Sequence, residues 1–85
     1  MRETPISIIP LLPFNRQQAL RIVSKADKFR SQCLIKSKDG VINAKSVLGL
    51  MSLRPGEHRL SCNGADEEQA HETLLELLSD MISEK

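Results

Sequence analysis

A two-layer α+β sandwich, with elements in the order β-α-β-β-α-β-α and the helices on one sheet face, is what this sequence predicts. Three observations carry that reading. Two apolar stripes recur at helical spacing, several short runs alternate apolar with polar residues, and Gly, Pro and Asp signals cut the chain into pieces of element length. The 85 residues suit one domain over residues 1–85, because a second hydrophobic core does not fit in a chain of this size.

Ile6-Ser7-Ile8 alternates between Pro5 and Pro10, which lack ladder donors, and predicts a brief edge strand. From Asn15 the period changes. Ala19, Ile22, Val23, Ala26 and Phe29 share one helical face, with Arg16, Gln17, Arg21, Lys25 and Lys28 mostly elsewhere. Asn15 is placed to cap this helix, and Gln18, three residues on, to complete a capping box. Gln32–Ser37 and Val41–Ala44 then flank Lys38-Asp39-Gly40, where Asp-Gly predicts the positive-φ positions of a tight hairpin.

Ser46 precedes the apolar segment Val47–Leu53, which Arg54-Pro55-Gly56 closes, so one to two turns of helix are expected there. His58–Asn63 alternates as a strand with one buried face, and Gly64 ends it. In the last segment Asp66 and Gln69 hold capping-box positions, and Glu67 and Glu68 complement the positive helix end. Ala70, Leu74, Leu77, Leu78 and Met81 form its apolar stripe.

Composition excludes several functions. Twelve Lys and Arg against eleven Asp and Glu give a net charge of +1, without the basic run of a nucleic-acid binder, and Phe14 and Phe29 make no base-stacking platform. The stretch Ile6 to Phe14 is interrupted by Ser7, Pro10 and Pro13 and is far shorter than the roughly 20 residues of a membrane span. With no secretory pattern either, a cytoplasmic location is expected.

Cys33 and Cys62 lack CxxC spacing and nearby Cys or His partners, so buried reduced thiols are expected, without a disulfide or metal. His58 is expected at the surface or rim of the sheet and His71 on a solvated helix face, as are Glu67, Glu68, Glu72 and Glu76. Neither histidine sits at ligand spacing or beside a nucleophile, and no Gly-rich phosphate loop is present. No enzyme activity, catalytic residue, metal or cofactor is expected.

The segment Asn43–Leu53 stands apart, because a serine at a helix start welcomes a phosphate there through the nearby amides and helix dipole. Leu50 and Leu53 are expected to point inward and Val47, Leu48 and Met51 to form an apolar partner patch. The competing reading makes Ser46 a simple cap and the whole mini-helix core.

Residues 43–53, Asn-Ala-Lys-Ser-Val-Leu-Gly-Leu-Met-Ser-Leu, resemble the regulatory-serine segment of the HPr family, the small phosphocarriers of the bacterial sugar phosphotransferase system. The likeness is greatest to its catabolite-repression branch, Crh. Asn63–Ala70 is similar to that family's entry into the last helix, and the resemblance runs from about Ala26 to the C-terminus. It implies an open-faced sandwich, a four-stranded antiparallel sheet with three helices on one face.

The family opens its first helix with Gly-[Ile/Leu]-His-Ala-Arg-Pro-Ala, whose histidine takes phosphate from phosphoenolpyruvate through Enzyme I. Here the matching stretch is Pro13-Phe14-Asn15-Arg16-Gln17-Gln18-Ala19, so Asn15 stands at the histidine position and Gln17 at the arginine position. An amide lacks the basic lone pair of imidazole, so the carrier reaction is expected to be lost. The Crh precedent implies a regulatory protein-interaction module, phosphorylated on Ser46 by HPr kinase and bound by a CcpA-like transcriptional regulator. Arg16, Gln17 and Lys45 then join Val47, Leu48 and Met51 as partner-binding candidates, in a monomer or weak homodimer. Two alternatives stay open: a phosphocarrier using another residue, and an unphosphorylated scaffold.

Overall fold

The computed structural model describes residues 1–84 and contains one antiparallel sheet in the order β1-β4-β2-β3. The strands are β1 (Arg2–Ile6), β2 (Gln32–Ser37), β3 (Gly40–Asn43) and β4 (His58–Asn63); the helices are α1 (Arg16–Ala26), α2 (Val47–Met51) and α3 (Glu67–Ser83). This is the expected open-faced sandwich. Alternation along the strands turns Cys33, Ile35, Leu60 and Cys62 toward the helices, where they meet Ala19, Ile22, Leu50, Leu74, Leu78 and Met81 in one core. The other face carries Lys36 and Arg59, both paired with Glu3 of β1, at 2.8 and 3.0 Å.

The first strand lies earlier than its apolar alternation predicts. β1 covers Arg2–Ile6 against His58–Cys62, so only Ile6 of Ile6-Ser7-Ile8 is in it; Ile8 is buried, and Ile9–Leu11 makes a 3-10 turn with Pro10 in its first turn. In this register Glu3 pairs with Lys36 and Arg59 of the neighbouring strands, and Ile8 and Leu11 after the strand fill the core instead. The edge position is as expected.

The hairpin also shifts. Ser37 pairs with Gly40, leaving Lys38 and Asp39 as the turn, and of these four residues Gly40 alone has positive φ, at 146°. β3 therefore begins at Gly40 and stops at Asn43, while Ala44 still donates its N–H to the Cys33 carbonyl at 2.8 Å.

At the start of α1 the capping box forms as expected: Gln18 N donates to Asn15 Oδ1 at 2.8 Å, and Asn15 N to Gln18 Oε1 at 3.0 Å. The helix ends at Ala26, before Phe29, which packs on the core from the following turn.

At α3 the expected box is absent. Asp66 makes no side-chain cap; its carboxylate instead accepts from Arg30 N and Ser31 N, both at 2.9 Å, and from Ser31 Oγ at 2.5 Å. Glu67 supplies the local contact, accepting from Gly64 N at 3.3 Å.

Gly64 is needed where the chain leaves β4. Its φ is 154°, and a Cβ there would lie 2.7 Å from Ser31 Cα, far inside van der Waals contact.

Candidate functional site

α1 and α2 pack against each other on the helical face and bring together the stretches that the sequence singles out. At the start of α1, Asn15, Arg16 and Gln17 are exposed, and the Asn15 side chain is engaged by its own helix. Gln17 borders a shallow groove of about 410 Å³ between α1 and α3, with Leu20, Arg21 and Leu77.

Ser46 is the N-cap of α2, and its Oγ accepts from Gly49 N at 3.1 Å. Ser52 closes the same short helix by donating from Oγ to the Gly49 carbonyl at 2.6 Å. Leu50 and Leu53 are buried, as expected, and Leu48 is 81% exposed, with Met51 38% exposed beside it. Val47 differs: it is half-buried and packs on the core, because the first residue of so short a helix still faces the sheet side. The patch is therefore Leu48 and Met51 with Val47 as its floor. Sequence reasoning missed Leu20, which is 45% exposed on α1; it lies four residues after Arg16 and so on that residue's face, a signal the core-stripe reading passed over.

Lys45 is not a free solvated lysine. Its Nζ donates to the Phe29 carbonyl at 2.8 Å, tying the segment before α2 to the chain just beyond α1.

Both histidines lie where the sequence did not put them. His58 is 3% exposed and His71 4% exposed, and His58 has both ring nitrogens, and His71 its Nε2, buried without a hydrogen-bond partner. β4 runs between β1 and β2, so His58 at its start is enclosed from both sides, next to a cavity of about 620 Å³ at the strand ends. His71 sits under α3 on the side facing the sheet; burial, and then the Arg2 charge, hold its pKa below the ordinary value of 6.5. Among the described residues no cluster of three or more His, Cys, Asp or Glu is arranged to hold a metal.

Cys33 and Cys62 are buried and reduced, as expected, but they are not isolated. They are Cα partners across β2 and β4, with Sγ atoms 3.9 Å apart. Spacing in the sequence, 29 residues, gave no hint of this; strand register creates it.

Asp66 has the most strongly displaced carboxyl in the molecule's surface. The Ser31 hydroxyl, followed by the Arg30 amide, holds its pKa down to about 2. That carboxylate fixes the corner between Arg30 and α3.

A family model described as "PTS HPr component phosphorylation site" matches residues 14–80. The phosphocarrier protein HPr of Lysinibacillus sphaericus is 32% identical over 84 residues, covering 95% of this chain and 96% of that one. The chain belongs to the HPr family. Among solved structures, HPr-C-His from Thermoanaerobacter tengcongensis superposes with a TM-score of 0.85 at 33% identity, covering 100% of this chain and 99% of that one. Crh from Bacillus subtilis, solved as a domain-swapped intertwined dimer, gives 0.75 at 31% identity over 80% of this chain and 82% of that one. HPr-family membership thus extends through the N-terminal third, where the sequence resemblance was weak. Among the described residues no helix is long and apolar enough to cross a membrane.

Proposed function

We propose that this HPr-family chain is a regulatory protein-interaction module of the cytoplasm, not a phosphoryl carrier and not an enzyme. The observation that supports the reading is the burial of both imidazoles, His58 and His71, while Asn15, which the resemblance sets at the family's histidine position, uses its side chain to cap α1. A carrier histidine has to meet a partner's phosphoryl group at the surface. Neither of these can do so without opening the core, which weighs against the reading of a carrier with a displaced histidine.

Ser46 is the proposed regulatory acceptor. Its hydroxyl stands at the start of α2, half-buried and accepting a bond from Gly49 N, so a phosphate there replaces a single acceptor oxygen by several at the positive helix end. Leu48 and Met51 are the exposed apolar residues of the helix it starts, and Arg16 and Gln17 are exposed at the start of α1, which packs against that helix. A partner with a complementary apolar patch and a phosphate-recognising group, of the CcpA type, fits this surface, with an HPr kinase as the writer. Lys45 takes the lesser role of holding the α2 approach in place, since its ammonium is already bonded to Phe29. Likeness to Crh supports a dimer as one assembly state.

Two incubations test this. With HPr kinase and ATP the protein gains one phosphate, mapped by mass spectrometry to Ser46 and abolished in Ser46→Ala. With Enzyme I and phosphoenolpyruvate it gains no acid-labile phosphate. An acid-labile phosphoprotein in the second tube overturns the reading in favour of a carrier; no phosphate in either tube overturns it in favour of a scaffold.

A further inference from the structure

We propose that Cys33 and Cys62 are a two-thiol oxidation site that forms an intrachain disulfide across the two central strands. The geometry is set by strand register. Cys33 and Cys62 are direct cross-strand partners on the core face of β2 and β4, with sulfurs 3.9 Å apart. The Cys33 carbonyl accepts from Ala44 N at 2.8 Å, so the backbone polar groups of Cys33 face away from β4. In an antiparallel ladder the amide and carbonyl of one residue point to the same side, which makes Cys33 and Cys62 a non-hydrogen-bonded pair. That is the closer kind of pair, with Cα atoms about 4.5 Å apart, inside the roughly 4.4–6.8 Å range that a disulfide spans. Side-chain rotation alone has to bring the sulfurs together.

The two thiols already form a chain of contacts. Cys62 Sγ donates to Cys33 Sγ, and Cys33 Sγ donates to the Ser31 carbonyl at 3.6 Å. The hydrogen bond to the Cys33 sulfur, and then burial, push the Cys62 thiol up, so Cys33, which receives that hydrogen bond, is the sulfur that reacts first. Neither thiol is exposed, so the oxidant must be small and must enter during a local opening of the fold. A hydroperoxide of minimal size meets that requirement. Cys33 sulfur attacks one peroxide oxygen, the O–O bond breaks, and a sulfenic acid and one water result; Cys62 sulfur then attacks the sulfenic sulfur, and the oxygen leaves as a second water. Two thiol hydrogens and two electrons pass from sulfur to peroxide, and one S–S bond is formed.

The pair joins the strand that leads into the β3 hairpin to the strand that leads into α3. Closing the bond would lock together the middle of the sheet, whose partner strands β1 and β3 lie outside it.

Native protein treated with hydrogen peroxide tests the site by intact mass and by peptide mapping without reduction. The expected result is a monomer lighter by two hydrogen atoms, with the Cys33 and Cys62 peptides linked, and full recovery of the starting mass with a reductant. Cys62→Ser and Cys33→Ser give no such loss, and each instead keeps its single thiol or gains one oxygen. The map of the unsubstituted chain decides the matter even where a variant folds poorly. The proposal is overturned if the native chain keeps both thiols at a peroxide dose that consumes glutathione in the same tube. It is also overturned if the link forms only after unfolding in urea, or if oxidation yields only interchain dimers.

Discussion

Two helix starts in this small domain solve the same problem in opposite ways. At α3, Asp66 leaves its own helix uncapped and reaches to Arg30 and Ser31, 36 and 35 residues earlier in the chain, while Gly64 lets the backbone press against Ser31. At α2, the Ser46 hydroxyl accepts from Gly49, three residues on, and the helix it starts presents Leu48 to solvent. One corner is held by tertiary bonds, so altering it alters the fold. At the other the side-chain cap itself is local, although Lys45 beside it is tied to Phe29, and Leu48 on the outer surface of the helix stays exposed. The start of α1 belongs with the second kind, since the Asn15–Gln18 box is local and exposed.

The contrast can be broken most severely at Gly64. A Cβ at φ 154° and 2.7 Å from Ser31 Cα combines a disfavoured backbone with a clash, so Gly64→Ala should cost roughly 2–4 kcal/mol. In a domain of this size that lowers Tm by roughly 10 °C or more, read by thermal unfolding.

Asp66 comes next and carries a pH signature. Its carboxyl titrates at about 2 when folded, below the ordinary 3.8, so the unfolded chain binds the proton more readily. The stability it contributes is complete above the ordinary value and is lost as pH falls through the folded one, a window from about pH 4 to about pH 2. Urea midpoints across that window should fall more steeply for the unsubstituted protein than for Asp66→Asn, which starts lower; parallel curves would remove the carboxylate from the account.

Ser46→Ala removes one local cap and should cost about 1 kcal/mol, or roughly 5 °C in Tm, with the native circular dichroism spectrum kept. Leu48→Ser is the mildest. With 81% of its surface already in solvent, it should change stability by less than about 0.5 kcal/mol while weakening partner capture, measured by calorimetry on the phosphorylated protein. A large stability loss at Leu48 would mean that the two corners do not differ in kind.

These differences also mark what the sequence could disclose. The Asn15–Gln18 box and the Ser46 cap involve residues three apart, so residue type and spacing sufficed. Leu50 and Leu53 read correctly as inward because apolar spacing on one helix is a local signal. Asp66 was recognised as a helix-start residue, yet its partners come from β2's approach, and no local pattern names them. His58 read as a rim residue because alternation fixes a face but not the enclosure that comes from β4 lying between β1 and β2. His71 read as solvated, although it directly follows the buried Ala70, because a polar residue type outweighed its place on the stripe's flank. The Cys33–Cys62 contact needed strand register, which depends on pairing across 29 residues.

Pro5 has one further effect. The same ladder parity that makes Cys33 and Cys62 a non-hydrogen-bonded pair makes Pro5 and Arg59 another, so the ring nitrogen of Pro5 faces outward from the free edge of β1. A second molecule approaching that edge meets a missing donor at the fourth position of a five-residue rail, and at the opposite edge it meets only the four residues of β3. Pro5 thus makes that edge a poor template for strand-by-strand addition of further copies.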